Sequence, residues 1–421
     1  MNLNKYHISI IYFVLYLSLL FGFFLNEDFT VGSKVDYLVH VEIIRRFEND
    51  FLNTLLNFSN KELDFTTAHS PFFYIIFLIL KILFQGNELL IRLLNLHISL
   101  LIPYIFYLIL KIDYDFKKND LKFLLPGLFF LSPYFRSGSI WVGSENISLI
   151  FLFGSFYFFK LFITNKNRKF HIIFLNIIFL SIAAYVRPIY SLFSIYFFII
   201  LFKDLINNGK IFQYIFINLV LAFPAYYYVF ILDINFIAMH VNEPVTISRI
   251  INQFAITTSI LFYYSIPFIV FSYSQLKNKI KSKNHFIILI YLIFLLLFFD
   301  YVFSYGGGIF YKLSFILFSN NYLFYLIACL SLIFFKTILI DNLNLKKNFN
   351  DLILFFILIL LEIDTIVYHE TYDLIFYLIF FTIIKNEYFR NFIRNFKIKK
   401  LIFLYCFSLF FFLITVFKSF L

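Results

Sequence analysis

Asp36 and His40 stand four residues apart in Val35-Asp36-Tyr37-Leu38-Val39-His40-Val41-Glu42. In a helix this spacing puts both side chains on one face. A carboxylate so placed can act as a general base toward a hydroxyl. The plainer reading is a solvated loop acid. The same pair is half a metal site, and two ligands are too few to define one. Arg92, Arg136 and Arg187 each carry apolar flanks. A guanidinium stays charged when desolvated and matches phosphate with two parallel hydrogen bonds, so three of them suggest an anionic headgroup. Taken singly, each could equally be a snorkelling or structural arginine. Glu145 follows Trp141-Val142-Gly143-Ser144, and Glu370 follows Tyr368-His369. Both are expected to open helices, where the dipole favours an acid. His69 precedes Ser70-Pro71 at the start of a short apolar run, and Pro at a first helical position is a start signal.

The elements that must hold these groups are membrane helices. The chain has 421 residues, of which 62% are hydrophobic and 14% charged. That is far beyond the apolar share a water-soluble core can bury. The apolar residues form blocks at 8–25, 89–110, 145–163, 211–232, 252–273, 284–302, 320–340 and 400–417. Each is of the length a spanning helix needs, and only helices or closed barrels satisfy their backbone in hydrocarbon. The fold class expected is all-α, a polytopic bundle of about 12–13 helices forming one domain over residues 1–421.

The net charge of +11 does not mark a nucleic-acid binder, because the Lys and Arg residues lie between apolar blocks. Basic linkers at 164–171, 275–285 and 385–400 follow the positive-inside pattern and should face the cytoplasm. The long loop at 26–70, richer in acids, then lies on the far side and is expected to carry short helices. The run 72–84 is short and holds Lys81, which suggests a re-entrant or interfacial helix. Residues 171–203 should split into two helices at Arg187-Pro188. Gly306-Gly307-Gly308 reads as a flexible loop, Trp141 as an interfacial anchor, and Cys329 and Cys406 as buried thiols. Asn57-Phe58-Ser59 and Asn146-Ile147-Ser148 are chance-level glycosylation sequons. On this topology Asp36, His40, His69, Arg92, Arg136, Glu145, Arg187 and Glu370 all face the extracytoplasmic side.

The order of these features resembles the GT-C superfamily of membrane glycosyltransferases. Those proteins share a first helix, a large external loop with an acid, a Pro-aromatic helix and an Arg near the next helix start. A Pro turn with a later acid and an Arg in a middle turn follow. The matching positions are Asp36, Pro71-Phe72-Phe73-Tyr74, Arg92, Pro133 with Glu145, and Arg187. Within the superfamily the likeness is nearest to the dolichyl-phosphate-glucose α-1,2-glucosyltransferase family, through Asp36 with His40, Thr66 to Tyr74, and Ile91-Arg92-Leu93-Leu94-Asn95. It covers about residues 1–190. Tyr37 stands where a second acid is often found, Ser70 replaces one Pro of a pair, and Pro188 follows Arg187.

The resemblance implies transfer of a sugar from a polyprenyl-phosphate donor to a glycan, lipid or protein acceptor. Asp36 would be the base of an inverting displacement, and Arg92, Arg187 and Arg136 would stabilise the phosphate. His40, His69, Glu145 and Glu370 would orient substrates. It leaves open whether a divalent metal ion assists, because members differ. The site would lie outside a bacterial inner membrane or in the endoplasmic reticulum lumen. Two rival functions are a secondary transporter or lipid flippase, and a polysaccharide polymerase or ligase. The first would place charges at mid-membrane and show repeats. The second would carry its large loop late in the chain.

Overall fold

The computed structural model describes residues 5–30, 32–58, 70–114, 116, 120–165, 169–231, 246–277, 284–302, 306–340, 345–362 and 366–419. It is 85% helical and contains no strands among these residues. In chain order the helices are α1 Lys5–Phe24, α2 Ser33–Asn49, α3 Phe51–Leu56, α4 Pro71–Leu83, α5 Glu88–Ser99 and α6 Leu101–Asp113. There follow α7 Pro133–Ile140, α8 Ser144–Thr164, α9 Phe170–Val186, α10 Phe193–Asn207 and α11 Ile211–Tyr226. The remainder are α12 Ile247–Lys277, α13 Asn284–Phe298, α14 Gly308–Phe318, α15 Tyr322–Leu339, α16 Leu345–Leu360, α17 Glu370–Leu378, α18 Glu387–Arg394 and α19 Ile398–Ser419.

Among the described residues eight helices are long and apolar enough to cross a bilayer. These are Tyr6–Phe24, Glu88–Asp113, Ser144–Thr164, Pro188–Asn207, Ile211–Ile231, Ile247–Ser274, Tyr322–Leu339 and Ile398–Phe417. The chain is therefore an all-α, multi-pass membrane protein. Residues 284–302 contribute a shorter apolar helix, Phe286–Phe298. The chain divides into a first unit, Met1–Met239 with Leu401–Leu421, and a second unit, His240–Lys400.

In the first unit the break expected at Arg187-Pro188 is present. α9 ends at Val186, Arg187 is extended (φ −129°, ψ 101°), and a 3-10 turn Pro188–Leu192 leads into α10. Pro188 forces this, because it has no N–H for an internal bond and excludes helical geometry at the residue before it. The 26–70 region does carry helices. α2 is amphipathic and buries Tyr37, His40, Ile43, Ile44 and Phe47 at three- and four-residue spacing. That stripe packs on α4, where Phe73 and Tyr74 meet His40 edge-on and Phe77 meets Tyr37. Lys81 of α4 is held by Glu48 of α2 at 2.8 Å.

Residues 133–144 lead from Pro133 into a buried segment. They form α7, whose residues Phe135 to Ile140 are all buried, and an extended link to α8. Before α7, residues Leu121–Leu131 wind as a 3-10 helix around Pro126. Such runs are usually only three or four residues long because their hydrogen-bond geometry is poor. Here two side chains relieve the strain: Tyr12 donates to the Phe123 carbonyl and Tyr405 to the Leu124 carbonyl. Gly127 leaves room for Tyr405, since a Cβ there would collide with its hydroxyl.

In the second unit the three glycines form a defined turn instead of featureless linker. Gly306, Gly307 and Gly308 all have φ near +75°, and the Gly307 N–H donates to the Val367 carbonyl at 2.9 Å. Only glycine takes three successive residues through that region without strain. Cys329 is buried as expected, while Cys406 is exposed on α19.

Candidate active site

Asp36 sits in the first turn of α2 with its side chain open to solvent on one side. Its carboxyl is pushed up to about 6, first by burial and then by the negative field of Glu145, which outweighs the lowering effect of Arg187. Asp28 adds a smaller push in the same direction. Glu145 occupies the first turn of α8, and its carboxylate lies 3.5 Å from the Arg187 guanidinium. Gly143 makes this placement possible, because a Cβ there would strike the Glu145 carboxylate. Arg187 is poised by the break between α9 and the 3-10 turn. The α4 start is tied to the same place, since Ser70 Oγ donates to the Tyr185 carbonyl two residues before Arg187. Four elements thus converge on one carboxylate, one acid and one cation.

His40 does not extend this pair toward solvent. It is 4% exposed, wedged between Phe73 and Tyr74, with Nδ1 3.3 Å from the Tyr74 hydroxyl. Burial drives its ring down to about 4, so it is neutral under ordinary conditions. Its geometry makes it a strut between α2 and α4.

The three arginines are not gathered on one group. Arg136 is 4% exposed and bonded bidentately to Glu27 at 2.5 and 2.6 Å. Its other donors reach Ser18 Oγ, the Ser18 carbonyl and the Phe130 carbonyl. A guanidinium has five N–H donors, and all five are committed within the protein. Arg136 therefore clasps α1 to α7 and has no donor left for a phosphate. Glu27, its partner, is legible in sequence only as one acid of the 26–70 loop. Arg92 lies with its guanidinium 3.7 Å from the Trp141 ring centroid, and it donates to the Ile140 carbonyl and to Asn26. Trp141 itself is 5% exposed and donates to the Glu27 carbonyl, so it is an internal platform and not a surface anchor.

Glu370 belongs to the second unit, where it opens α17 beside the Thr371–Glu362 hydrogen bond. His69 lies outside the described residues. The Asn146 sequon is closed to modification: Asn146 is 1% exposed and bonds Ser99, the Phe135 carbonyl and Ser139. Among the described residues no group of three His, Cys, Asp or Glu is arranged to hold a metal ion.

Fold and site together define a multi-pass α-helical membrane protein with an acid–cation cluster where four of its helices meet. The chain matches no family model, no curated protein and no solved structure.

Proposed function

We propose that this protein is a membrane glycosyltransferase that moves a sugar from a polyprenyl-phosphate donor to an acceptor hydroxyl on the extracytoplasmic face. The observation carrying this reading is the shared electrostatic environment of Asp36, Glu145 and Arg187. A base poised near 6 is deprotonated at neutral pH yet basic enough to accept a hydroxyl proton. A partly buried guanidinium beside it can bind the phosphate and stabilise the charge that grows there as the sugar leaves. In the step, the acceptor oxygen attacks the anomeric carbon as its proton passes to Asp36. The bond from that carbon to the phosphate oxygen breaks with inversion. The departing phosphate oxygen keeps the electron pair, and its charge is stabilised by Arg187, which Glu145 orients. Any divalent metal would need a ligand beyond Asp36 and Glu145, and no step is assigned to one.

The test is a panel of radiolabelled polyprenyl-phosphate sugars offered to purified protein in detergent, each with and without mixed glycan and lipid acceptors. Acceptor-dependent release of polyprenyl phosphate from one member is expected. Consumption of none of them, with solute counterflow in proteoliposomes, would replace this reading with a transporter.

A further inference from the structure

One cavity of the first unit does not include Asp36 in its lining. It is an apolar groove of about 410 Å³ between α1, α6 and the 3-10 helix, lined by Tyr12, Tyr16, Pro103, Tyr104, Tyr107 and Phe123 among others. Its size falls within the roughly 300–1,000 Å³ of ligand pockets. Two of its tyrosine hydroxyls are committed elsewhere, for Tyr12 donates to the Phe123 carbonyl and Tyr16 is bonded to His97. Two of its walls, α1 and α5–α6, are candidate membrane spans. Phe23 of α1 touches Arg92 of α5 at 5.2 Å, and Tyr16 of α1 meets His97 further along α5. The same pair of helices therefore runs from Arg92 to the groove, whose lining residue Leu100 lies about 12 Å along the helix axis from Arg92.

At the Arg92 end sits a second cation. Lys34 Nζ lies 5.7 Å from the centroid of the same Trp141 ring that Arg92 covers at 3.7 Å. Arg92 spends two of its donors on Ile140 and Asn26, and the other three have no acceptor among the described residues. Acids temper this charge: Glu88 acts on Arg92, and Asp28 accepts from the Lys34 backbone N–H. Two cations partly offset by carboxylates suit a singly charged phosphodiester better than a doubly charged phosphate monoester. The fixed order of anion site and apolar groove along one helix pair describes an amphiphile. Because α1 and α5–α6 are both candidate membrane spans, the bilayer is the source we assign to it.

We propose that Arg92, Lys34 and the aromatic groove hold one glycerophospholipid of the surrounding membrane, its phosphodiester on the two cations and an acyl chain in the groove. This site is separate from the Asp36–Glu145–Arg187 cluster and does not depend on the glycosyl-transfer reading. Trp141 is the protein's single tryptophan and reports on the site directly. Titration of the delipidated protein with dioleoylphosphatidylglycerol should change its emission saturably, and native mass spectrometry should give a one-to-one adduct. The double variant Arg92→Gln/Lys34→Gln should weaken binding at least tenfold, and Leu100→Trp should remove the adduct. Dioctanoylphosphatidylglycerol, whose short chains leave the groove unfilled, should bind at least tenfold more weakly to the unaltered protein. Asp36→Asn, which would silence transfer, should leave the adduct intact. Equal binding of the two lipids, wild-type affinity in the double variant, or loss of the adduct in Asp36→Asn would overturn the proposal. Displacement of the lipid by one equivalent of an isoprenoid phosphodiester would overturn its source.

Discussion

Asp36 carries two predictions that point in different directions. Its carboxyl is raised to about 6, so the basic form accumulates as pH climbs through that value. The rate of transfer should rise across an acid limb centred near pH 6 and level off above it. Glu145 raises Asp36 and Arg187 lowers it. Glu145→Gln should therefore move the limb to lower pH, and Arg187→Gln should move it to higher pH while also reducing the rate. Initial rates from pH 4.5 to 8.5 decide this; shifts of the same sign would contradict it. The stability effect has the opposite sense. A carboxyl whose folded value lies above its unfolded one favours the native state fully only below the unfolded value, and that contribution is lost as pH rises through about 6. Asp36→Asn should thus keep or raise the melting temperature at pH 7.5. The acid, the cation and their helix ends were legible from residue type and flanks. The division of labour among the arginines was not. Arg136 and Arg187 look alike in sequence, and only the five contacts around Arg136 reveal that its charge is consumed by Glu27.

At the scale of elements, the ion pair between Glu27, three residues past α1, and Arg136 of α7 is the strongest single test. Arg136 and Glu27 are each 4% exposed at the side chain. Removing one member strands the other charge in the interior, which typically costs about 3–5 kcal/mol. Arg136→Met and Glu27→Gln should each destabilise by about that amount, while the double variant should lose far less than the sum. Additive losses in detergent unfolding would rule out the clasp. The 3-10 helix gives a second test. Gly127→Ala drives a methyl into the Tyr405 hydroxyl, and overpacking of this kind costs about 1–3 kcal/mol. A further Tyr405→Phe should recover part of that loss. Helix existence was legible from apolar blocks and from Pro188. The burial of α7 and the winding of 121–131 were not, because both depend on partners distant in sequence: Arg136 bonds back to Glu27, and Tyr405 to Leu124.

For the whole molecule, the orientation proposed from the basic linkers is tested by labelling from each side. With Cys329 and Cys406 replaced by Ser, Asn165→Cys and Lys385→Cys should label from one side of sealed vesicles. Asn53→Cys in α3 should label only from the other. Labelling of all three from one side would dismantle the extracytoplasmic site. The central claim is that Asp36 is the base of a sugar transfer from a lipid phosphate. The most direct measurement compares purified wild type and Asp36→Asn on the one donor the wild type consumes, after both are shown to be inserted and to have matching melting curves. The account predicts that the variant binds the donor with similar affinity but transfers at least a hundredfold more slowly, a loss within the usual contribution of a general base (about 10²–10⁴). Transfer by Asp36→Asn at the wild-type rate would contradict it.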